Sequence, residues 1–145
     1  MLLDLIALLA VGLFAGAALY VTLVEHPARL QCGPALAIAE FGPSYRRGAV
    51  MQASLAAVGG FAGGADWVRG HGALPLATGL LMAGLIAFTL IVILPTNKRL
   101  LDPALDPGSA EATALLARWG RLHAVRTGVG TLALLLLGLH LVEVR

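Results

Sequence analysis

The sequence predicts an all-α fold, an integral membrane four-helix bundle that forms a single transmembrane domain over residues 1–145. The first observation is composition: the chain is 59% hydrophobic and only 12% charged, which leaves too few charges to cover a soluble globule. The second is clustering of the charges, which leaves four long uncharged stretches. Since a spanning helix needs roughly 20 apolar residues, we expect spans at about 3–25, 47–67, 73–95 and 110–143.

Each predicted span has its own features. The first carries Asp4 but no basic residue before an apolar run that is long for a signal peptide, so we expect it to be a span. The second contains Gln52, Ser54 and several glycines, and the third is expected to stop or kink at Pro95. The fourth helix is expected to start in the cytoplasm, because its uncharged stretch is otherwise short. Small residues spaced four apart predict close packing of helices, namely Gly12 with Gly16, Gly60 with Gly64 and Gly79 with Ala83.

The connections predict the orientation. Of the 10 basic residues, eight fall in the first and third connections, and basic loops stay cytoplasmic. Both termini are therefore expected outside, in a multi-pass protein of the plasma (inner) membrane. Pro27 is expected to end the first helix, and Pro34 and Pro43 bracket a predicted short interfacial helix in the first cytoplasmic loop. Cys32 would lie in the reducing cytoplasm and receives no role.

Polar residues converge at the predicted cytoplasmic ends of the spans. They are Glu25, His26, Arg29, Tyr45, Gln52, Thr89, Asn97, Trp119, His123 and Arg126. On the last helix Trp119, His123 and Arg126 recur at i, i+4 and i+7, a spacing that places them on one face. Polar groups at membrane depth are costly unless satisfied and tend to mark function. The pattern predicts a shared site for a planar, anionic ligand.

Simpler interpretations stay open. Glu25 and Arg29 can form an i, i+4 ion pair, and His26 and His123 can be ordinary interfacial histidines. The two histidines could also ligate a haem or a single metal ion, although the chain has no HxxxH, ExxH or CxxC pattern. The opposite end looks plain, and its two histidines are expected at the outer interface; they are His71 and His140.

Three segments, GLFAGAALYVTLVEHPARL, PTNKRLLD and LLARWGRLHAVRT, resemble the signatures of the anthrone-oxygenase-like family of small four-span membrane proteins. The most specific element is the pattern W-x-x-x-H-x-x-R-T at Trp119, His123, Arg126 and Thr127, with Asn97 after the third-span proline. The resemblance implies a monooxygenase reaction in which molecular oxygen attacks an activated phenolic carbon, as when an anthrone becomes an anthraquinone.

The residues suit that chemistry. An anthrone-like substrate needs only proton removal to give an electron-rich enolate, so cofactor-free catalysis is favoured, with a haem or one metal ion as the alternative. His26, His123 or Glu25 could take the proton, and Arg126 with Arg29 could stabilise the negative charge that develops. The predicted substrate-binding residues are Trp119, Asn97, Arg29, Tyr45, Gln52 and Thr89.

The main rival is a non-enzymatic membrane protein that binds haem, a metal ion or a lipophilic ligand, or that acts as a transport or assembly subunit. A transporter is expected to carry an ionisable residue near the middle of a span, and the first three predicted spans have none there. The expected partners are the lipid bilayer, a lipophilic small molecule and molecular oxygen, with no nucleic acid. A homo-oligomer is compatible with the small-residue pattern.

Overall fold

Four long helices account for most of the computed structural model, which describes residues 1–143. They are α1 (Leu2–Gln31), α2 (Pro34–Val68), α3 (Ala73–Leu100) and α4 (Ala110–Glu143). No strand occurs in residues 1–143. Each helix packs against two others in a ring, α1 and α3 both touching α2 and α4. The chain reverses at each connection, so α1 ends and α4 begins at one end of the ring. We call this the cavity end, and the opposite one the termini end.

Three of these helices are long and apolar enough to cross a membrane: α1, α3 and α4. Their outer faces carry large exposed apolar side chains, such as Leu13, Leu80, Ile91 and Leu135. Exposed leucine and isoleucine in this number suit contact with lipid rather than water. Within the described residues, α2, which contains the predicted span 47–67, does not reach the same apolar length, because arginines, polar residues and glycines interrupt it.

The prediction of a separate interfacial helix in the first connection is wrong. Residues 34–46 form the first turns of α2, which runs without a break to Val68. Pro34 occupies the first helical turn, where its missing N–H costs no hydrogen bond. Pro43 lies on the exposed side of α2, as does Ala39, whose carbonyl the proline leaves unbonded. The alanine-rich sequence on both sides of Pro43 therefore continues as one helix.

Pro27 does not end α1, contrary to the sequence prediction, and Pro95 does not stop α3, which excludes one of its two predicted effects. In each case a five-residue π-helical turn precedes the proline by two residues, Val21–Glu25 in α1 and Thr89–Ile93 in α3. A π turn is wider than an α turn, so it makes room for the proline ring. It also accommodates the carbonyl that receives no hydrogen bond because proline has no N–H. Helix α1 therefore continues to Gln31 and α3 to Leu100. Both π turns face the interior of the cavity end.

Glycines bring α2 and α3 into backbone contact, as predicted from Gly60 and Gly79, whereas a Cβ atom at Gly16 or Gly64 would meet nothing within 4 Å. A Cβ atom at Gly63 would lie 2.6 Å from the carbonyl oxygen of Pro75, and one at Gly79 would lie 3.0 Å from that of Gly60. No larger residue fits at either position without moving the backbone. These contacts lie in the half of α2 and α3 nearer the termini end. In the other half the same two helices leave room for a cavity.

Candidate functional site

A cavity of about 190 Å³ lies at the cavity end, and all four helices contribute to its wall. Nine of the ten predicted site residues line it. They are Glu25, Arg29, Tyr45, Gln52, Thr89, Asn97, Trp119, His123 and Arg126. The tenth, His26, does not. Both π turns supply part of the wall, through Val21, Glu25, Thr89 and Ile93, and such turns recur at functional sites.

Trp119 lies at the centre of the aromatic contacts in the cavity wall. Its indole N–H donates a hydrogen bond to the Asn97 side-chain oxygen, 2.9 Å away. The His123 imidazole stacks on the indole with 4.8 Å between ring centroids, and Phe41 meets it edge-on at 5.4 Å. The indole N–H has a hydrogen-bond partner, and the rings of His123 and Phe41 pack against the indole. Trp119 therefore offers a fixed flat surface at the cavity wall.

His26 contacts Trp119 from outside the cavity. Its ring centroid lies 5.1 Å from that of the indole. A Cβ atom at Gly120 would lie 2.5 Å from the His26 Nε2 atom, so the imidazole packs directly on the backbone of α4. Both predicted histidines thus touch Trp119, but only His123 lines the cavity.

A chain of hydroxyl groups holds the His123 ring. Its Nδ1 atom lies 3.0 Å from the Thr22 hydroxyl, which lies 2.7 Å from the Thr127 hydroxyl. Thr127 in turn donates to the Ala18 carbonyl of α1 at 3.0 Å. With the Thr127 hydrogen directed at that carbonyl, Thr22 donates to Thr127 and accepts from His123 Nδ1–H. The Nε2 atom of His123 then carries a lone pair and can accept a proton.

Arg126 is a cation without a counter-ion at the cavity wall. Its guanidinium donates to the Gln52 side-chain oxygen at 2.6 Å and lies 5.5 Å from the centre of the Phe14 ring. No carboxylate of the described chain lies within ion-pair distance, and its buried Nε atom has no hydrogen-bond partner there. A positive charge partly removed from water without an anion is costly. This arrangement favours an anionic ligand.

Arg29 is in the opposite situation. Its buried guanidinium forms ion pairs with Glu25 and Glu40 and donates to the Ser44 hydroxyl at 3.1 Å. Ser44 also donates to Glu25 at 2.9 Å. The expected i, i+4 pair of Glu25 and Arg29 is therefore present, and it belongs to a larger network. Since its charge is already balanced, Arg29 orders the cavity wall more than it attracts an anion.

The other predicted residues offer flat surfaces and amide donors. Tyr45 stacks on Phe41 with 5.7 Å between centroids and 6° between planes. The side-chain nitrogens of Asn97 and Gln52 form no hydrogen bond within residues 1–143, whereas the oxygen atoms of both amides are occupied. The Thr89 hydroxyl donates to the Leu85 carbonyl of its own helix at 2.7 Å. It is therefore a poor donor for a ligand.

Sequence reasoning missed Thr22, Ser44 and Phe14. Thr22 lies four residues before His26, a spacing that puts it on the same side of α1 one turn deeper, but a single hydroxyl in an apolar run does not by itself indicate a site. Ser44 lies beside Tyr45 and was read as part of the connection. Phe14 lies two turns deeper in α1 than the polar residues, and nothing in its local sequence distinguishes it from core.

The termini end is not plain, and the expectation that His71 and His140 lie at the outer interface fails for His140. The side chain of His140 is 3% exposed, and its Nε2 atom lies 3.2 Å from a buried carboxylate oxygen of Asp66. His71 is partly exposed and contacts the other oxygen of Asp66 at 2.7 Å. Asp4 completes the group, 3.9 Å from His140. The cause is topological, because these four isolated residues meet only when the helices alternate in direction.

The sequence model of the anthrone oxygenase family matches residues 41–136 of the chain. The chain belongs to the anthrone oxygenase family. The family match contains seven of the predicted site residues, namely Tyr45, Gln52, Thr89, Asn97, Trp119, His123 and Arg126. The α1 residues Glu25, His26 and Arg29 precede it. No curated protein and no solved structure matches the chain.

Proposed function

We propose that this member of the anthrone oxygenase family is a membrane-embedded oxygenase that oxidises a lipophilic, phenolic or anthrone-like aromatic in the cavity. Family membership supports the oxygenase class. The single observation that carries the proposal is Arg126, a guanidinium without a carboxylate that shares the cavity wall with the imidazole of His123. A proton acceptor beside an unbalanced cation is suited to forming an enolate and holding it.

Substrate binding follows from the aromatic lining. Trp119, Phe41 and Tyr45 provide flat apolar faces against which a fused ring system can lie. The side-chain N–H groups of Asn97 and Gln52 can donate hydrogen bonds to phenolic or carbonyl oxygens of the substrate. Apolar side chains supply most of the remaining wall, which suits a ligand with few polar atoms at its edge.

The first chemical step is removal of a proton from the methylene carbon that lies opposite the ketone of the substrate. His123 Nε2 accepts this proton, and the electron pair of the broken C–H bond moves to the ketone oxygen. Arg126 stabilises the resulting enolate oxygen. Glu25 is less suited to be the base, because Arg29 and Ser44 already occupy its carboxylate, and His26 lies outside the cavity wall.

The oxidation consumes one molecule of oxygen. The enolate gives one electron to O₂, and the carbon radical and superoxide combine into a peroxide that takes a proton from the His123 imidazolium. Loss of the second proton from the same carbon breaks the O–O bond and releases water, leaving a carbonyl group. Overall, CH₂ and O₂ become C=O and H₂O. One oxygen atom enters the product, as a monooxygenase requires.

The arrangement of the two histidines supports the cofactor-free route over ligation by His26 and His123. One metal ion or haem iron would need both imidazole nitrogens in the same space. Instead the two rings each pack on Trp119, and His123 Nδ1 bonds to Thr22. His26 would have to leave its contact with Gly120 to reach the cavity.

The membrane setting is part of the proposal. We place all four helices across the plasma (inner) membrane, with both termini outside and the cavity end toward the cytoplasm. The antiparallel packing of α2 against the apolar helices α1 and α3 supports four spans, and the basic residues in the helix turns of the cavity end support this orientation. Ala53 of α2 and Leu90 of α3 line the cavity and are exposed. A lipophilic substrate can therefore enter between these helices from the bilayer.

The test is oxygen consumption by the purified protein in lipid nanodiscs with anthrone as substrate, corrected for the rate with empty nanodiscs. We expect one O₂ consumed per quinone formed, and one labelled oxygen atom in the quinone when ¹⁸O₂ is used. Arg126→Met should lower the rate about 100-fold. Arg121→Met is the matched control, since Arg121 is exposed on the same helix, and it should leave the rate unchanged.

Two results would reject this function. One is a rate with the protein equal to that with empty nanodiscs, which would favour a non-enzymatic ligand-binding protein. The other is an Arg126→Met variant as fast as the unaltered protein, since the guanidinium would then not stabilise the enolate.

A further inference from the structure

We propose that Asp4, Asp66 and His140 form a binding site for one divalent transition-metal cation at the termini end, independent of the cavity. The three residues come from the first turn of α1, the last turns of α2 and the last turns of α4. One ligand atom from each lies within 4.8 Å of the other two. Because the residues are far apart in sequence, only the packed helices create the group.

Burial makes the carboxylates of this group unusual. Asp66 is 4% exposed and His140 is 3% exposed. No lysine or arginine side chain of residues 1–143 lies within ion-pair distance of Asp4 or Asp66. The exposed α-amino group of Met1 contacts Asp4 at 2.7 Å, but among residues 1–143 the ion-pair partners of Asp66 are the imidazoles of His71 and His140. A buried carboxylate without a cation is costly, and a metal ion would balance it.

The ligand set and its spacing fit a first-row metal ion. One imidazole and two carboxylates suit Zn²⁺ and its neighbours, which take nitrogen and oxygen ligands at roughly 2.0–2.2 Å. Ligands around such an ion lie roughly 3.0–3.5 Å apart by simple geometry. The His140 Nε2 atom already lies 3.2 Å from Asp66 and 3.9 Å from Asp4. A small movement of the Asp4 side chain therefore brings three protein ligands into range, and a water molecule would supply the fourth ligand.

His71 acts as a positioning residue for this site. Its Nδ1 atom lies 2.7 Å from the Asp66 oxygen that faces away from His140. By donating its hydrogen there, His71 fixes the carboxylate so that the other oxygen points at His140. Metal ligands commonly carry such an outer hydrogen bond, and its loss typically weakens binding 10–100-fold.

The site stands apart from the proposed oxygenase chemistry. His140 follows His123 by 17 residues of continuous helix, which corresponds to roughly 25 Å at about 1.5 Å per residue. Asp4 and His140 also lie outside the range matched by the family. A cation here would join α1, α2 and α4 at the termini end and raise stability without taking part in the reaction.

The experiment measures Zn²⁺ binding to tag-free protein in detergent after removal of metal with a chelator, because a histidine tag would itself bind zinc. We expect one Zn²⁺ per chain and a melting temperature that rises on addition of Zn²⁺. Asp66→Asn and His140→Ala should each abolish binding at stoichiometric zinc. His71→Ala should weaken binding about 10–100-fold.

Controls separate this site from other zinc ligands. His123→Ala removes the cavity imidazole, and Asp106→Asn removes an exposed loop carboxylate; both should bind Zn²⁺ as the unaltered protein does. If Asp66→Asn fails to fold, Asp4→Asn carries the test, since Asp4 is less buried. The proposal is overturned if the protein binds no zinc, or if Asp4→Asn and His140→Ala still bind it. The group would then be an aspartate–histidine network that shares protons and holds no metal ion.

Discussion

The two ends of the helix ring differ in how their charges are balanced. At the cavity end Arg29 pairs with Glu25 and Glu40, while Arg126 has no carboxylate partner within residues 1–143. At the termini end Asp4 contacts the α-amino group of Met1, whereas buried Asp66 has imidazoles but no arginine or lysine of residues 1–143 beside it. The first end has an unbalanced positive charge and the second an unbalanced negative one.

The cavity end and the termini end are therefore suited to ligands of opposite charge. An anionic enolate would balance Arg126, and a divalent cation would balance Asp4 and Asp66. Because a charge held away from water without a partner is costly, each end has a physical reason to bind its ligand.

The first prediction separates the two ends by activity. His123→Ala should lower anthrone oxidation by roughly 100- to 10,000-fold, the usual effect of removing a general base. The measurement is the initial rate of quinone formation in nanodiscs. His71→Ala, at the other end, should leave that rate unchanged. Equal rates for His123→Ala and the unaltered protein would mean that the imidazole takes no part in proton removal.

The second prediction compares the two arginines by stability. Arg29→Met should lower the free energy of unfolding by roughly 2 kcal/mol, less than for a fully buried pair because Glu40 is 42% exposed. Arg126→Met should change the free energy of unfolding by less than about 1 kcal/mol, because the lost hydrogen bond to Gln52 is offset by removal of a partly buried charge that has no carboxylate partner. Chemical unfolding in mixed micelles, followed by circular dichroism, measures both. A larger loss for Arg126→Met than for Arg29→Met would contradict the charge assignment.

Much of the fold could be predicted from the sequence, because long apolar stretches impose helices of membrane length. The last helix was predicted at 110–143 and is observed at Ala110–Glu143. The errors arose at prolines. Pro27 and Pro95 normally stop a helix, and the local sequence does not reveal that a π turn two residues earlier removes the conflict. Pro43 was likewise read as a boundary, although it lies on the outer side of a continuous helix.

The polar groups of the cavity could be located because their residues cluster in the sequence near the helix ends. The ion pairs among these groups could not be predicted. Which arginine meets a glutamate depends on side-chain directions, so Arg29 and Arg126 looked equivalent. The termini-end group was missed for another reason: its residues stand alone at positions 4, 66, 71 and 140. The same argument from helix direction and depth would have placed them together.

The third prediction concerns the contact between His26 and α4. Gly120→Ala should lower the free energy of unfolding by about 1–3 kcal/mol, because the new methyl group would meet the His26 ring at 2.5 Å. Gly128→Ala, on the same helix with nothing within 4 Å, should instead raise it by about 0.5–1 kcal/mol. If both variants unfold alike, His26 does not pack on Gly120.

The smallest effect is expected from Thr22, whose hydroxyl holds the His123 ring. Thr22→Val should slow anthrone oxidation roughly three- to tenfold, the worth of one neutral hydrogen bond, with KM unchanged because the substrate contacts stay. Thr113→Val, exposed at the start of α4, is the control. A Thr22→Val variant with full kcat would show that the hydroxyl chain does not orient the base.

The most direct test of the unbalanced charge at Arg126 is the ionisation of a bound hydroxyanthraquinone, followed by its visible absorbance as the pH is raised. A cation nearby favours the phenolate, so the ligand bound to the unaltered protein should ionise at a pH roughly one to three units lower than when it is bound to Arg126→Met. Ionisation at the same pH in both proteins would contradict the account, since Arg126 would then not hold an anion in the cavity.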